Sequence, residues 1–305
     1  MNSRIVIGLG ELLWDMFPLG KKLGGAPANF AYISSLLGDK GVVASRVGQD
    51  DLGQQAISYV KALGGETGEI QTDPIHPTGT VEVSIDKDGQ AKFEIKKSVA
   101  WDFLEWTAEW NALAKRCDAV CFGSLAQRSP QSRETIQSFL QAAFKSAVCV
   151  FDVNLRQGYQ TAELLSASMR IAHVVKLNHE ELPVVTKLCG FESPDEKSAA
   201  KWLQEKFGLR LVCVTRGARG SLMIGENEAI EYPGFAVKVA DTVGAGDAFT
   251  AALVHHFLRG ASLAEMSEAA NQWGSWVASQ VGAMPVPDAA RLERLRASGR
   301  STANF

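Results

Sequence analysis

Val148-Cys-Val-Phe-Asp-Val153 is apolar at nearly every position, where a strand with one wet face would alternate. A short run of that kind, bounded by helical stretches, is expected of a strand covered on both sides. The same character returns at Arg4–Leu9, Val42–Val47, Ala119–Phe122, Val174–Leu177, Leu211–Thr215 and Leu222–Ile224. Helical patterns lie between these runs, among them Ala28–Leu37, Leu52–Leu63, Pro130–Phe144, Ser198–Phe207 and Ala245–Leu258. Such alternation predicts an α/β fold with a mostly parallel central sheet between helix layers. The 305 residues suffice for one large domain, and residues 1–305 are read as a single unit.

One region departs from this rhythm. Gly79-Thr-Val-Glu-Val-Ser-Ile-Asp86 and Ala91-Lys-Phe-Glu-Ile-Lys96 alternate strictly, with Lys87-Asp-Gly-Gln90 between them. Asp-Gly between two alternating runs signals a hairpin. Val81, Val83, Ile85, Phe93 and Ile95 would share its apolar face, and a small antiparallel sheet of this kind cannot stand alone. It must cover the main domain, a ligand or a second copy of itself; a plain surface hairpin and a lid accord equally with the pattern. The tail after Ala297 is polar and expected to fray.

Composition narrows the classes of partner. With 46% hydrophobic residues, 21% charged residues and a formal net charge of -3, the chain has the make-up of a globular protein. It lacks the basic runs that nucleic acid or an anionic membrane would require. The five cysteines form no Cys-x-x-Cys pair, and three lie inside apolar runs. They are expected as buried free thiols in a reducing compartment. Neither an export signal nor an apolar run of about 18 residues is evident, so a cytoplasmic protein is expected.

Two glycine-bearing stretches could carry chemistry. In Ala240-Asp-Thr-Val-Gly-Ala-Gly-Asp-Ala-Phe249, two glycines open a helical pattern. They let backbone N–H groups converge where the helix dipole already favours an anion. Asp247 placed there could take a proton from a hydroxyl attacking a phosphate; equally, it could stabilise its own helix. The glycine spacing favours the first reading, since a cap needs no such pair. In Leu23-Gly-Gly-Ala-Pro-Ala-Asn29, Pro27 suits a first helical turn, Gly24 and Gly25 admit a ligand close to the backbone, and Asn29 offers a donor and an acceptor to hydroxyls. Taken alone, this second stretch reads first as a tight loop capped by its proline.

Gly24-Gly-Ala-Pro-Ala-Asn29 and Asp241-Thr-Val-Gly-Ala-Gly-Asp247 resemble the two signature segments of the ribokinase-like (PfkB) carbohydrate kinases, in the family's order and at its spacing. Asp152-Val-Asn-Leu-Arg156, Lys176-Leu-Asn-His-Glu-Glu181, Thr215-Arg-Gly-Ala-Arg-Gly220 and Gly282-Ala-Met-Pro285 are similar to landmarks between and after them. The likeness runs from about residue 4 to 288. Within the family it leans to fructokinases, through Gly10-Glu-Leu-Leu-Trp-Asp-Met-Phe-Pro18 and Asp152–Arg156.

The resemblance implies an ATP-dependent kinase that phosphorylates a primary hydroxyl of a small sugar, with fructose to fructose 6-phosphate first. It implies Asp247 as base, and the amides of Gly244, Ala245 and Gly246 as the charge-stabilising hole. Asp15, Gly25, Asn29 and Arg156 fall on sugar-binding positions, and Asn178, Thr215, Gly217, Gly220 and Asn271 on the nucleotide side. Glu181 would act on Mg²⁺ through water, and the Asp241–Val243 loop would hold a monovalent cation such as K⁺. Segments 11–20 and 76–100 would form a β lid that also builds a homodimer. The arm Phe93-Glu-Ile-Lys-Lys97 carries lysines where an arginine is common among fructokinases and ketodeoxygluconate kinases. A ketodeoxygluconate, ribose or nucleoside kinase is therefore the alternative, and a non-catalytic sugar-binding protein the alternative of another class.

Other signals are weaker. Gly8-Leu-Gly10 lacks the third glycine of a dinucleotide turn, position 13 being Leu13, and no Walker-type Gly-x-x-x-x-Gly-Lys-Ser/Thr occurs. His255 and His256 are adjacent and cannot share a helix face as ligands, and His76, His173 and His179 lack ligand spacing. Trp101, Trp106 and Trp110 are expected to pack the base of the lid onto the domain.

Overall fold

The computed structural model describes residues 3–18, 20–85 and 91–297, apart from the side chains of 83–85 and 91–93. The expected turn at 87–90 and the tail after Ala297 lie outside the described residues. The strands are β1 (Ile5–Leu9), β2 (Leu13–Phe17), β3 (Gly20–Gly24), β4 (Lys40–Gly48), β5 (Ile70–Asp73), β6 (Gly79–Ile85) and β7 (Ala91–Ile95). They continue with β8 (Ala119–Phe122), β9 (Val148–Asp152), β10 (Val174–Asn178), β11 (Leu211–Thr215), β12 (Ser221–Gly225) and β13 (Ala229–Tyr232). The helices are α1 (Ala26–Leu37), α2 (Asp51–Ala62), α3 (Ala108–Arg116), α4 (Pro130–Ala143) and α5 (Ala162–Ile171). After them come α6 (Glu181–Leu188), α7 (Glu196–Phe207), α8 (Ala245–Phe257), α9 (Leu263–Ala278) and α10 (Ala289–Ala297).

Nine strands form the main sheet in the order β13-β12-β11-β10-β9-β8-β1-β4-β5. Pairing is parallel from β11 through to β5, and antiparallel where β12 and β13 complete the far edge. Successive residues serve opposite faces, which is why the strands read as continuous apolar runs. Ile7, Phe122, Phe151, Val175 and Val214 enter one core with residues of α3–α7. Val6, Cys121, Val150, Val174 and Cys213 enter the other with residues of α1, α2, α8 and α9. The expected mostly parallel sheet between helix layers is what the chain forms.

The cysteines follow the expectation too. All five are free thiols, four of them buried, and burial pushes Cys117 and Cys149 up to about 12.

β2, β3, β6 and β7 form a second sheet in the order β3-β2-β6-β7. The pairs β2–β3 and β6–β7 are antiparallel, and β2–β6 joins the two hairpins in parallel. Part of its apolar face is covered by this chain itself: Val81 and Ile95 are buried in the same core as Leu13, Trp101 and Leu104. Trp101 is fully buried at the foot of this sheet. A Cβ on Gly79 would stand 2.2 Å from its Nε1.

The end of α8 remote from the glycine loop is tied down by charge. Asp39, just after α1, accepts from His255 Nδ1 at 2.7 Å and Arg259 Nη2 at 2.7 Å, and its side chain is 1% exposed. These two partners hold its carboxyl below the usual range despite burial. Asp39→Ala leaves both without their acceptor and is expected to cost about 3 kcal/mol of stability, measured by urea denaturation at pH 7. A depressed folded-state pKa gives stability that is present above the ordinary carboxylate pKa and is lost as pH falls through the folded value. The gap between variant and wild type should therefore shrink in acid.

Candidate active site

Parallel strands deliver their carboxyl ends to one edge of the sheet, and the loops there build the site. The N-termini of α1 and α8 also point at this edge, because both helices follow glycine turns. Gly25 is the N-cap of α1 at φ 109, and its carbonyl accepts from the N–H groups of Ala28 and Asn29. A Cβ there would stand 2.4 Å from the Glu11 carbonyl oxygen, so the turn and the loop after β1 can meet only across a glycine. Gly244 is the N-cap of α8 at φ 80, which makes Asp247 the third residue of that helix.

The two signature stretches converge. Asn29, on the first turn of α1 and 3% exposed, donates from Nδ2 to Asp247 Oδ2 at 2.7 Å. Asp247 is half-buried and lines a hollow with Ala26, Pro27, Asp152 and Thr250. Burial, then repulsion from Asp152, raises its pKa to about 6, against the pull of Asn29, Lys176 and Arg156. A carboxylate with that proton affinity at neutral pH is ionised and still basic enough to accept from a hydroxyl. The Ala245 N–H turns back to the Thr242 carbonyl at 3.3 Å, a long bond at the start of the helix.

Asp15 lies on β2 with its carboxylate over Gly24, where a Cβ would stand 2.6 Å from Oδ2. Burial and then Asp241 raise its pKa to about 6, while Lys22 and Arg156 draw it down. Arg156 is exposed in the loop after β9, and its charge reaches Glu11, Asp15 and Asp247 alike. Asp241 staples its own loop, with Oδ1 accepting from Val243 N at 3.0 Å and Oδ2 from Gly282 N at 3.1 Å. Lys22 Nζ stands 3.6 Å from the same Oδ2.

The residues expected on the nucleotide side begin one and two strands further along the edge. Asn178 and Thr215 are register partners at the ends of β10 and β11. Asn178 Oδ1 caps α6 through the N–H groups of Glu180 and Glu181. Glu181 is 7% exposed, and its two oxygens accept from Leu155 N and Asn178 N, both at 2.8 Å. Gly217 opens the short turn Gly217–Arg219 before Gly220. At Gly220 a Cβ would stand 1.8 Å from the Tyr232 carbonyl. Asn271 is buried on α9 and spends its amide donors on Ser221 Oγ at 2.7 Å and the Ser267 carbonyl at 2.8 Å. Both contacts hold its amide nitrogen between α9 and the start of β12.

Reading the sequence assigned no site role to four residues that the fold brings here, Glu11, Asp152, Lys176 and Thr250. Lys176 Nζ lies 3.1 and 3.2 Å from the two oxygens of Asp152, and Thr250 donates to Asp152 Oδ2 at 2.8 Å. Glu11 is 4% exposed, and burial raises its pKa to about 7. Signals for two of them were available: Lys176 interrupts an apolar strand, and Glu11 stands two residues past the end of β1 at the sheet's functional edge.

Fold and site together are those of a kinase acting on small carbohydrates. The chain belongs to the pfkB family of carbohydrate kinases, whose family model matches residues 9–289, and it is a phosphotransferase acting on a sugar hydroxyl. A fructokinase of Vibrio alginolyticus is 31% identical over 294 residues, covering 90% of this chain and 93% of that protein. A sugar kinase of Pyrococcus horikoshii, solved in complex with ATP, superposes with a TM-score of 0.81 at 27% identity, covering 97% of this chain and 99% of that one. A fructokinase of Vibrio cholerae O395, solved with fructose, ADP and a potassium ion, gives a TM-score of 0.81 at 26% identity, covering 96% of this chain and 98% of that one. No helix among the described residues is long and apolar enough to cross a membrane.

Proposed function

We propose that this kinase transfers the γ-phosphoryl group of ATP to the primary hydroxyl of fructose, giving fructose 6-phosphate, with Asp247 as the general base. The observation that carries the reading is the Asn29–Asp247 pair at the head of α8. It sets a carboxylate, raised to about 6, beside the backbone amides of a helix N-terminus. Asp247 takes the hydroxyl proton as the oxygen attacks phosphorus. The amides of Gly244, Ala245 and Gly246, with the helix dipole behind them, stabilise the charge gathering on the phosphoryl oxygens; the Ala245 N–H must release Thr242 to take part. Asp15, Gly25, Asn29 and Arg156 hold the sugar, and Asn178, Thr215, Gly217, Gly220 and Asn271 border the nucleotide. Fructose, ATP and potassium come to this reading from the relatives that bind them.

Mg²⁺ fits as a passenger on the phosphates. Glu181 and Asn178 stand together at the end of β10, with Glu181 Oε2 accepting from Asn178 N at 2.8 Å, and oxygen ligands of this kind suit an ion kept mainly by water and phosphate. Glu181 and Asn178 would reach it through water, and the ion would neutralise charge on the phosphates. At Asp241 each side-chain oxygen accepts one backbone N–H and keeps a further lone pair, so K⁺ there would rest on this carboxylate together with main-chain carbonyls of the loop.

A sugar acid such as 2-keto-3-deoxygluconate is the second reading. Lys97 Nζ lies 5.7 Å from the centre of the Tyr159 ring, three residues from Arg156, and two cations suit an acceptor with a carboxylate. The test is an ADP-release screen over about a dozen sugars, sugar acids and nucleosides, ranked by kcat/KM and repeated with K⁺ replaced by Na⁺. Fructose is expected to lead; turnover with the sugar acid and none with fructose would transfer the assignment. ADP release with none of them would leave a sugar-binding protein. The lid, formed by the small sheet, is proposed to close over the acceptor and to pair with a second copy, which light scattering would report as a dimer. The free buried thiols accord with a cytoplasmic location.

A further inference from the structure

Below the glycine loop lies a buried ion pair that the reaction as described leaves without a role. Asp152 and Lys176 are direct register partners on the adjacent parallel strands β9 and β10. Alternation sends both toward the α8 layer, since their neighbours Phe151, Val175 and Leu177 belong to the opposite core. The side chains are 6% and 9% exposed. Lys176 Nζ spans the carboxylate at 3.1 and 3.2 Å. Thr250, one turn along α8 from Gly246, approaches both Asp152 Oδ2 at 2.8 Å and the Gly246 carbonyl at 3.0 Å. A Cβ placed on Gly246 would stand 2.9 Å from Lys176 Nζ. The ammonium therefore lies against the glycine loop to which the proposed reaction assigns the phosphate.

A charge pair buried this deeply is seldom the most stabilising choice, because apolar residues of the same volume do as well or better. Its placement accounts for its presence. We infer that Lys176 is a positioning residue for phosphoryl transfer: through Asp152 and Thr250 it fixes the first turn of α8, and its charge keeps Asp247 ionised while Asp152 beside it works the other way. The inference rests on Asp247 being the base. The groups facing Asp247 from the elements around it are Asn29 on α1, Glu11 after β1, Cys121 on β8, Asp152 on β9, Arg156 after β9 and Lys176 on β10. Of these, Lys176 and Asp152 are paired to each other, so removing one exposes Asp247 to the full field of the other.

A charge cycle tests this. The pH dependence of kcat/KM is measured for wild type, Lys176→Met, Asp152→Asn and the double variant. In Lys176→Met the acid limb is expected to move up by about one pH unit, and in Asp152→Asn to move down by a similar amount. The double variant should return close to the wild-type position while its plateau stays at least about tenfold low, because the first turn of α8 has lost its anchor. Limbs that stay in place, or that move the same way in both single variants, would overturn the inference. If Lys176→Met fails to fold with its unpaired Asp152, the step between Asp152→Asn and the double variant still reads the effect of the lysine; no upward step there would equally refute it. A wild type that turns over sugar with a limb unrelated to Asp247 would instead sink the underlying reading. That case is recognised because Asp247→Asn would then keep the wild-type profile.

Discussion

Asp247→Ala is expected to lower kcat by about 10²–10⁴-fold, the usual contribution of a positioned general base, with the KM for ATP little changed. In the proposed reaction the carboxylate faces the acceptor hydroxyl while it holds Asn29, and its negative charge does nothing to help phosphate bind. Asp247→Asn should lose as much, since an amide keeps the shape and the contact with Asn29 but cannot take a proton. A variant turning over near the wild-type rate would refute the assignment of the base.

The wild-type pH profile gives the same test a second readout. Burial and Asp152 raise Asp247 to about 6, and the base must be ionised to act. Turnover should therefore fall as pH drops through about 6. Stability should move the other way for this group: a carboxyl that holds its proton more tightly folded than unfolded adds stability as pH falls from that value toward the ordinary carboxylate range. Lost activity without a lower melting temperature near pH 6 would mark titration of the base. Parallel loss of both would point to acid unfolding elsewhere.

The fold was largely legible because its two signals are local. Val148–Val153 and the runs like it are apolar at successive residues, which a half-wet strand cannot be, and the structure shows those residues feeding two cores in turn. Glycine before a helix is also a local signal, so the heads of α1 and α8 could be marked. The meeting of Asn29 with Asp247, 218 positions apart, could be expected only from a family resemblance, since no spacing rule spans such a gap. The pair Asp152–Lys176 escaped for a related reason: strand register makes it, and register between β9 and β10 is set by the whole sheet. The small sheet was half legible. Strict alternation announced β6 and β7, whereas β2 joins β6 in parallel, a pairing that depends on where the main sheet releases the chain after β1.

Gly244→Ala should produce the second large loss, and it separates the geometry of the loop from the chemistry of its carboxylate. Gly244 sits at φ 80, where a residue with a side chain is strained, and an added Cβ would stand 2.5 Å from Ala283 Cβ and 2.7 Å from Ala283 Cα. The second contact is with backbone, so a rotamer change cannot relieve it and the loop must shift. Strain of about 1–3 kcal/mol is expected in stability. The shift also turns the amides of the first turn away from the phosphoryl oxygens, and one such donor is worth about 10²–10³-fold in rate. The carboxylate itself survives, so the acid limb should keep its slope while the plateau falls. Gly68→Ala is the matched control, because a Cβ there meets nothing within 4 Å, and it should leave rate and melting temperature unchanged. Trimming the neighbour with Ala283→Gly should rescue little, since the clash with the main chain and the strained φ both remain. Recovery to within about threefold of wild-type kcat/KM in the double variant, a gap of roughly 0.65 kcal/mol, would show that the methyl contact alone set the loop, and the placement of the anion hole at Gly244 would have to be given up.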